Sequence, residues 1–147
     1  MSIFSSFDIN ASGLTAQRYR MDIISENIAN ADTTRTEDGT PYRRKVVTFA
    51  QKETNTSFSH VLNAATDNYS GKGVKVSSVQ EDNETEMIQA YDPSHPDADE
   101  NGYVTYPNVN IVTEMTNLID ASRSYEANAT AFSASKAMAT KGLEMGQ

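Results

Sequence analysis

The stretch from Asn110 to Met145 constrains this chain more than any other. Taken at alternating steps of three and four from Ile111, it reads Ile111, Met115, Leu118, Ser122, Tyr125, Ala129, Phe132, Lys136, Ala139 and Leu143. Eight of these ten are apolar, and on an α-helix they share one side, in the heptad pattern of a helix that lies along another helix. No proline or glycine interrupts the run before Gly142. Pro107 stands just outside, and Asn108 or Asn110 can cap the free N–H groups at the start. At about 1.5 Å per residue such a helix is roughly 50 Å long. A helix of that length with an apolar stripe needs something to pack against.

A second stripe lies near the other end. Phe7, Ala11, Leu14, Met21, Ile24, Ile28 and Ala31 fall at helical spacing, with Arg18 and Arg20 among the interruptions. Asp8 or Asn10 can cap the start of this helix. Asn27, Asn30, Asp32, Thr33 and Thr34 mark its end, because their side chains bond nearby backbone and favour turns. Isolated helices are marginal in water and draw most of their stability from packing. The simplest expectation is therefore antiparallel packing of the two terminal helices as a coiled coil. Two readings of the stripes stay open, a helical hairpin within one molecule and a surface that also faces other subunits.

The middle has a different character. Of 20 acids and 12 bases in the chain, residues 37–107 hold 12 and 6, so most of the net charge of −8 lies there. Glu37-Asp38-Gly39-Thr40-Pro41 is turn chemistry, and Tyr42 to Phe49 reads as a strand. Residues 51–70 read as a polar, mobile loop with His60 exposed. Residues 73–91 read as a hairpin. Val74, Val76 and Val79 lie on one arm, Thr85 to Tyr91 form the other, and Glu81-Asp82-Asn83 is the turn. Gly102 to Tyr106 is a further short strand. The fold class is α+β, with an N-terminal helix within 1–36, a small β-rich acidic region at 37–107 and a long C-terminal helix within 108–147.

Little in this sequence carries chemistry. There is no cysteine, which excludes disulfides, thiol catalysis and cysteine-bound metal. An acidic chain is a poor match for nucleic acid, and no apolar run is long enough for a membrane span. The N-terminus lacks the basic start and apolar run of a cleavable signal peptide. His60 and His95 lie in no catalytic motif, so neither an enzyme nor a small-molecule substrate is expected, and no cofactor is. Gly71-Lys72-Gly73 lacks the spacing of a phosphate loop and reads as a turn into a strand. Asp97, Asp99, Asn101 and Gly102 match the first half of a calcium loop, but Asn108 stands where the bidentate Glu belongs. A calcium-dependent binding module is thus the alternative reading. Arg43-Arg44-Lys45 is the lone basic cluster and reads as an edge strand whose charges discourage stray pairing.

Two segments carry a resemblance. Ser12 to Arg18 and Ser25 to Thr33, with the pattern N-x-A-N-x-x-T at Asn27, Ala29, Asn30 and Thr33, resemble the N-terminal signature of bacterial flagellar rod and hook proteins. Asn117 to Asn128 resembles the family's C-terminal helix. Tyr91, Pro93, His95, Pro96, Asp99, Gly102, Tyr103 and Pro107 resemble the approach to that helix in the proximal-rod branch of the family, rather than in a neighbouring rod protein. Thr34 stands where the family usually has Gly. The resemblance implies a structural subunit of the basal-body rod, the drive shaft of the flagellum. It implies packing with copies of itself and with other rod proteins around a central channel, and export by the flagellar type III apparatus. On that reading Phe7, Leu14, Met21, Ile24, Ile28, Ile111, Met115, Leu118, Ser122, Tyr125, Phe132 and Lys136 are the candidate assembly interface. Ser122 and Lys136 are its polar interruptions.

Overall fold

The structure, a computed structural model, describes residues 3–52 and 72–145. Most of the expected loop over 51–70, His60 included, lies outside the described residues. Helix α1 spans Ile3–Ala29, and four strands follow: β1 Lys45–Gln51, β2 Val74–Glu81, β3 Ile88–Tyr91 and β4 Tyr103–Tyr106. Helix α2 spans Ile111–Glu144. Among the described residues, two helices and two small sheets make the chain α+β. Asn110 is the cap of α2, its Oδ1 accepting the Thr113 N–H at 3.1 Å. At the other helix end, Asn30 donates through Nδ2 to the Glu26 carbonyl at 2.9 Å, and the Thr33 hydroxyl donates to Asn30 Oδ1 at 3.2 Å. The polar cluster after Ile28 thus closes α1 by bonding its own last turn.

The chain divides into two compact units. The first holds Met1–Arg18, Phe49–Ser77 and Ser122–Gln147, and the second holds Tyr19–Thr48 and Ser78–Ala121. Within the first unit, Phe7 meets Phe132 edge to face, with ring centroids 5.2 Å apart. Asn10 Nδ2 donates to the Ser135 hydroxyl at 3.3 Å. Gly13 lies against Asn128, so closely that a Cβ on it would stand 2.9 Å from the Asn128 side-chain oxygen. The second unit holds most of the buried apolar residues: Ile24, Ala31, Tyr42, Val104, Val109 and Ala121. Four of these six are Ala or Val, so much of the specificity is left to other forces.

The strands pair differently from the expected hairpin. The Val74 arm pairs with β1, and the arm ending at Tyr91 pairs antiparallel with β4. The expected turn is present, since Asp82 Oδ1 accepts the N–H groups of Glu84 and Thr85 at 3.1 and 3.0 Å. It redirects the chain instead of reversing it. The Asp82 N–H is already given to the Arg44 carbonyl at 2.8 Å. The second arm also gains more by placing Ala90 opposite the fully buried Val104. Local turn chemistry located the bend, and burial chose the partners.

Gly73 introduces β2 in the left-handed region, at φ +89°. A Cβ there would fall 2.1 Å from the Ser12 hydroxyl oxygen. That hydroxyl donates to the Ile9 carbonyl at 2.7 Å and accepts the Val74 N–H at 3.0 Å. We predict that Gly73→Ala costs about 2 kcal/mol of stability from the strained backbone and the displaced Ser12. Urea unfolding of the two proteins checks this, and equal midpoints would contradict it.

Candidate assembly surface

The inward face of α2 combines polar residues with Ala121 and Phe132. Glu114 is 1% exposed and Ala121 is fully buried in the second unit. In the first unit, Asn128, Phe132 and Ser135 make the contacts given above. At about 100° per residue these positions keep to one side of a straight helix. The heptad seam does not, because it drifts by about 20° per seven residues relative to such a helix. Its early member Met115 sits about 100° round from Glu114, and Phe132 comes back into line with it. Met115 is accordingly 52% exposed, and Ile111 and Tyr125 are also exposed. Lys136 is exposed, while Leu118 and Ser122 are half-buried. Val112 and Ile119, which the seam omits, are 74% and 53% exposed. The early turns of α2 therefore carry an uncovered apolar face of Ile111, Val112, Met115 and Ile119. On α1, Ile24 is buried, and Phe7, Leu14, Met21 and Ile28 are half-buried.

Opposite that face is a buried polar network. Asn27, 1% exposed, uses every hydrogen-bonding position of its amide. Its Nδ2 donates to the Lys45 carbonyl at 2.9 Å and to Glu114 Oε2 at 3.1 Å. Its Oδ1 accepts the Lys45 N–H and the Tyr42 hydroxyl, each at 2.9 Å. Glu114 Oε1 receives Arg44 through Nε and Nη2, both at 2.9 Å, and Asn117 Nδ2 at 3.2 Å. Arg44 continues to Asp82 at 3.4 Å. Asn108 accepts the Arg44 N–H at 2.9 Å and donates to the carbonyls of Asp82 and Thr85 at 2.8 and 3.1 Å. One set of side chains thus fixes the end of α1, the start of β1 and the start of α2 against each other. Burial, with the Glu26, Glu114 and Glu81 carboxylates nearby, pushes the Tyr42 phenol from 10.0 up to about 12. Bonds from Thr85 and Glu84 hold the Asp82 carboxyl below its ordinary range, with Arg44 adding to them.

Arg44 and Lys45 of the basic cluster are therefore held within the unit instead of standing free along the strand edge. Arg44 is spent on Glu114 and Asp82, and Lys45 pairs with Glu26. Sequence reasoning missed Glu114, because an acid between Thr113 and Met115 near a helix start reads as solvated surface. Its position about two turns before Ser122 held no signal without Arg44 in view.

The loop between β3 and β4 binds itself. Asp99 Oδ1 accepts the N–H groups of Asn101 and Tyr103 at 2.9 and 2.8 Å. Asp97 takes the Thr34 hydroxyl at 2.8 Å and faces Arg35 at 3.7 Å. The carboxylates that the calcium reading needs are turned to protein donors. His95 Nδ1 accepts the Asp97 N–H at 3.1 Å. Tyr91 and Tyr103 meet edge to face at 5.3 Å, with Gly102 too close to Tyr91 to carry a Cβ. Pro107 is fully buried. Among the described residues no helix is long and apolar enough to cross a membrane.

Comparison with known proteins identifies relatives at both ends of the chain and over its full length. The family described as flagella basal body rod protein matches residues 7–35, and the flagellar basal body rod FlgEFG protein C-terminal family matches residues 100–145. The chain is 46% identical to the flagellar basal-body rod protein FlgC of Bacillus subtilis, with all of both chains covered. It is 46% identical to FlgC of Borreliella burgdorferi over 97% of each chain, and 42% identical to FlgC of Salmonella typhimurium over the full length of both.

Two predictions follow from the network. Glu114→Ala leaves Arg44 and one Asn27 N–H without their partner, and should cost about 3 kcal/mol in chemical unfolding; a loss under about 0.5 kcal/mol, typical of a surface site, would contradict the burial. Tyr42→Phe should cost about 1 kcal/mol at neutral pH. Because folding raises the Tyr42 pKa, its contribution is whole below 10.0 and is lost as pH rises through about 12. The stability gap between the two proteins should therefore close across that window, and a constant gap would refute the assignment.

Proposed function

The chain belongs to the FlgC family of flagellar basal-body rod proteins, and we propose that it assembles there through the exposed apolar face of α2. It is a structural subunit of the rod in the basal body of the bacterial flagellum, it assembles with other rod components, and it serves motility. The carrying observation is the cluster of Val112, Met115 and Ile119, all more than half exposed on one side of α2. Uncovered apolar faces of this kind mark sites of association. Repeated head to tail, such contacts build an open helical assembly.

The finer reading follows from that premise. The chain is a proximal-rod subunit and carries torque along the drive shaft. Its neighbours are copies of itself and other rod proteins. The terminal helices of one chain pack antiparallel as a coiled coil, the exposed surface of Ile111, Met115, Leu118 and Tyr125 meets the neighbours, and Ser122 and Lys136 make polar contacts between subunits. The half-buried Phe7, Leu14, Met21 and Ile28 contribute their remaining surface, and Ile24 supports the helix from within. Kinship with the rod family supports export by the flagellar type III apparatus, with residues 1–36 as an uncleaved export segment. It also supports a final place in the periplasm or cell-wall space. The calcium-module alternative finds no favour, since Asp97 and Asp99 are engaged by Thr34, Asn101 and Tyr103.

Ile119→Asp separates assembly from folding. At an exposed position it should change stability by no more than about 0.5 kcal/mol, while cells carrying it in place of the native gene lose swimming. Normal swimming by a strain making the variant at native levels would overturn the proposal.

A further inference from the structure

Outside the exposed face, the least explained feature is the burial of a charged pair where an apolar contact would serve. Glu114 is sealed from solvent, and Arg44, with its side chain 26% exposed, reaches it from the residue before β1. Replacing such a pair by apolar residues of similar size is often neutral or stabilising, so stability alone does not explain it. The neighbouring packing is smooth. Ala31 is buried in one cluster with Val109 and Tyr42, Ala121 is fully buried on α2, and alanine surfaces place little restriction on how far a helix slides or turns. The polar contacts do restrict it. Both Arg44 nitrogens converge on one Glu114 oxygen, the other oxygen is held by Asn27, and Asn27 is itself fixed by both backbone groups of Lys45. No shift of α2 along its axis keeps these bonds.

The rotation has an outward consequence. With Glu114 pointing inward, Met115, Ile119 and Val112 lie about 100–160° round the helix from it. The bonds that hold Glu114 therefore also aim the apolar face.

We propose that Glu114 and Arg44 are positioning residues that set the axial register and rotation of α2, so that its exposed face meets the neighbouring subunit. Their role is the geometry of assembly, over and above the stability of the single chain. This rests on the assembly reading given above.

Two variants test it in full-length protein and in cells. Glu114→Asp keeps the charge and the acceptors but shortens the arm by one methylene, so α2 must move to keep its bonds. Arg44→Met with Glu114→Met removes the bonds and keeps the bulk. Both proteins should stay folded by circular dichroism, and the double variant should melt no more than about 10 °C below the native chain, because it also leaves one Asn27 N–H without its acceptor. Cells carrying either variant should fail to swim, and growth at lower temperature should not restore swimming. Swimming restored by cooling would reduce the pair to an ordinary stabilising contact and overturn the proposal. So would normal swimming by either folded variant, or an unfolded double variant. Ile119→Asp serves as the parallel strain. If it swims, the assembly reading itself has failed; if it is immotile while both Glu114 variants swim, only the positioning role has.

Discussion

The side chain of Asn27 meeting Glu114 is the contact on which the second unit depends. One amide satisfies a strand's first N–H and C=O, a buried phenol and a buried carboxylate at once. A residue that completes all its bonds in a low-dielectric setting is costly to displace, because any movement leaves buried polar groups unpaired. Around it the apolar contribution is modest, with alanines and valines in place of large side chains. Hydrophobic burial draws the elements together, and the polar contacts decide how they sit.

That division of labour suits a subunit of an assembly. A monomer that had covered all its apolar surface would have nothing to offer a neighbour. Here the two helices spend part of their apolar surface inside each unit and leave the early turns of α2 uncovered. The price is exposed Val112, Met115 and Ile119 in the free chain. On the proposal made above, neighbouring rod subunits supply their partners.

Much of this was legible from residues alone. Both helices stood out because their stripes repeat at helical spacing and their ends carry asparagines and threonines. The α+β class and the bend at Asp82 were legible for the same local reasons. Strand partners were not, since pairing depends on which residues can be buried opposite each other, and Ala90 opposite Val104 is a choice made by the whole unit. The inward face of α2 was misplaced at its start. A heptad count drifts against a straight helix, and it passed over Glu114, which the fold buries. The signature asparagines were recognised by resemblance, and the structure gives them their physics: Asn27 joins three elements, and Asn30 with Thr33 closes α1. Thr34, standing where a glycine is usual, holds Asp97 instead.

The absence of cysteine makes the central claim directly measurable. In Ile119→Cys, a single thiol reports on the exposed face of α2. The account predicts rapid maleimide labelling of that thiol in the free chain and strong protection in basal bodies purified from a strain in which the variant is assembled. Equal labelling in the two states would contradict it.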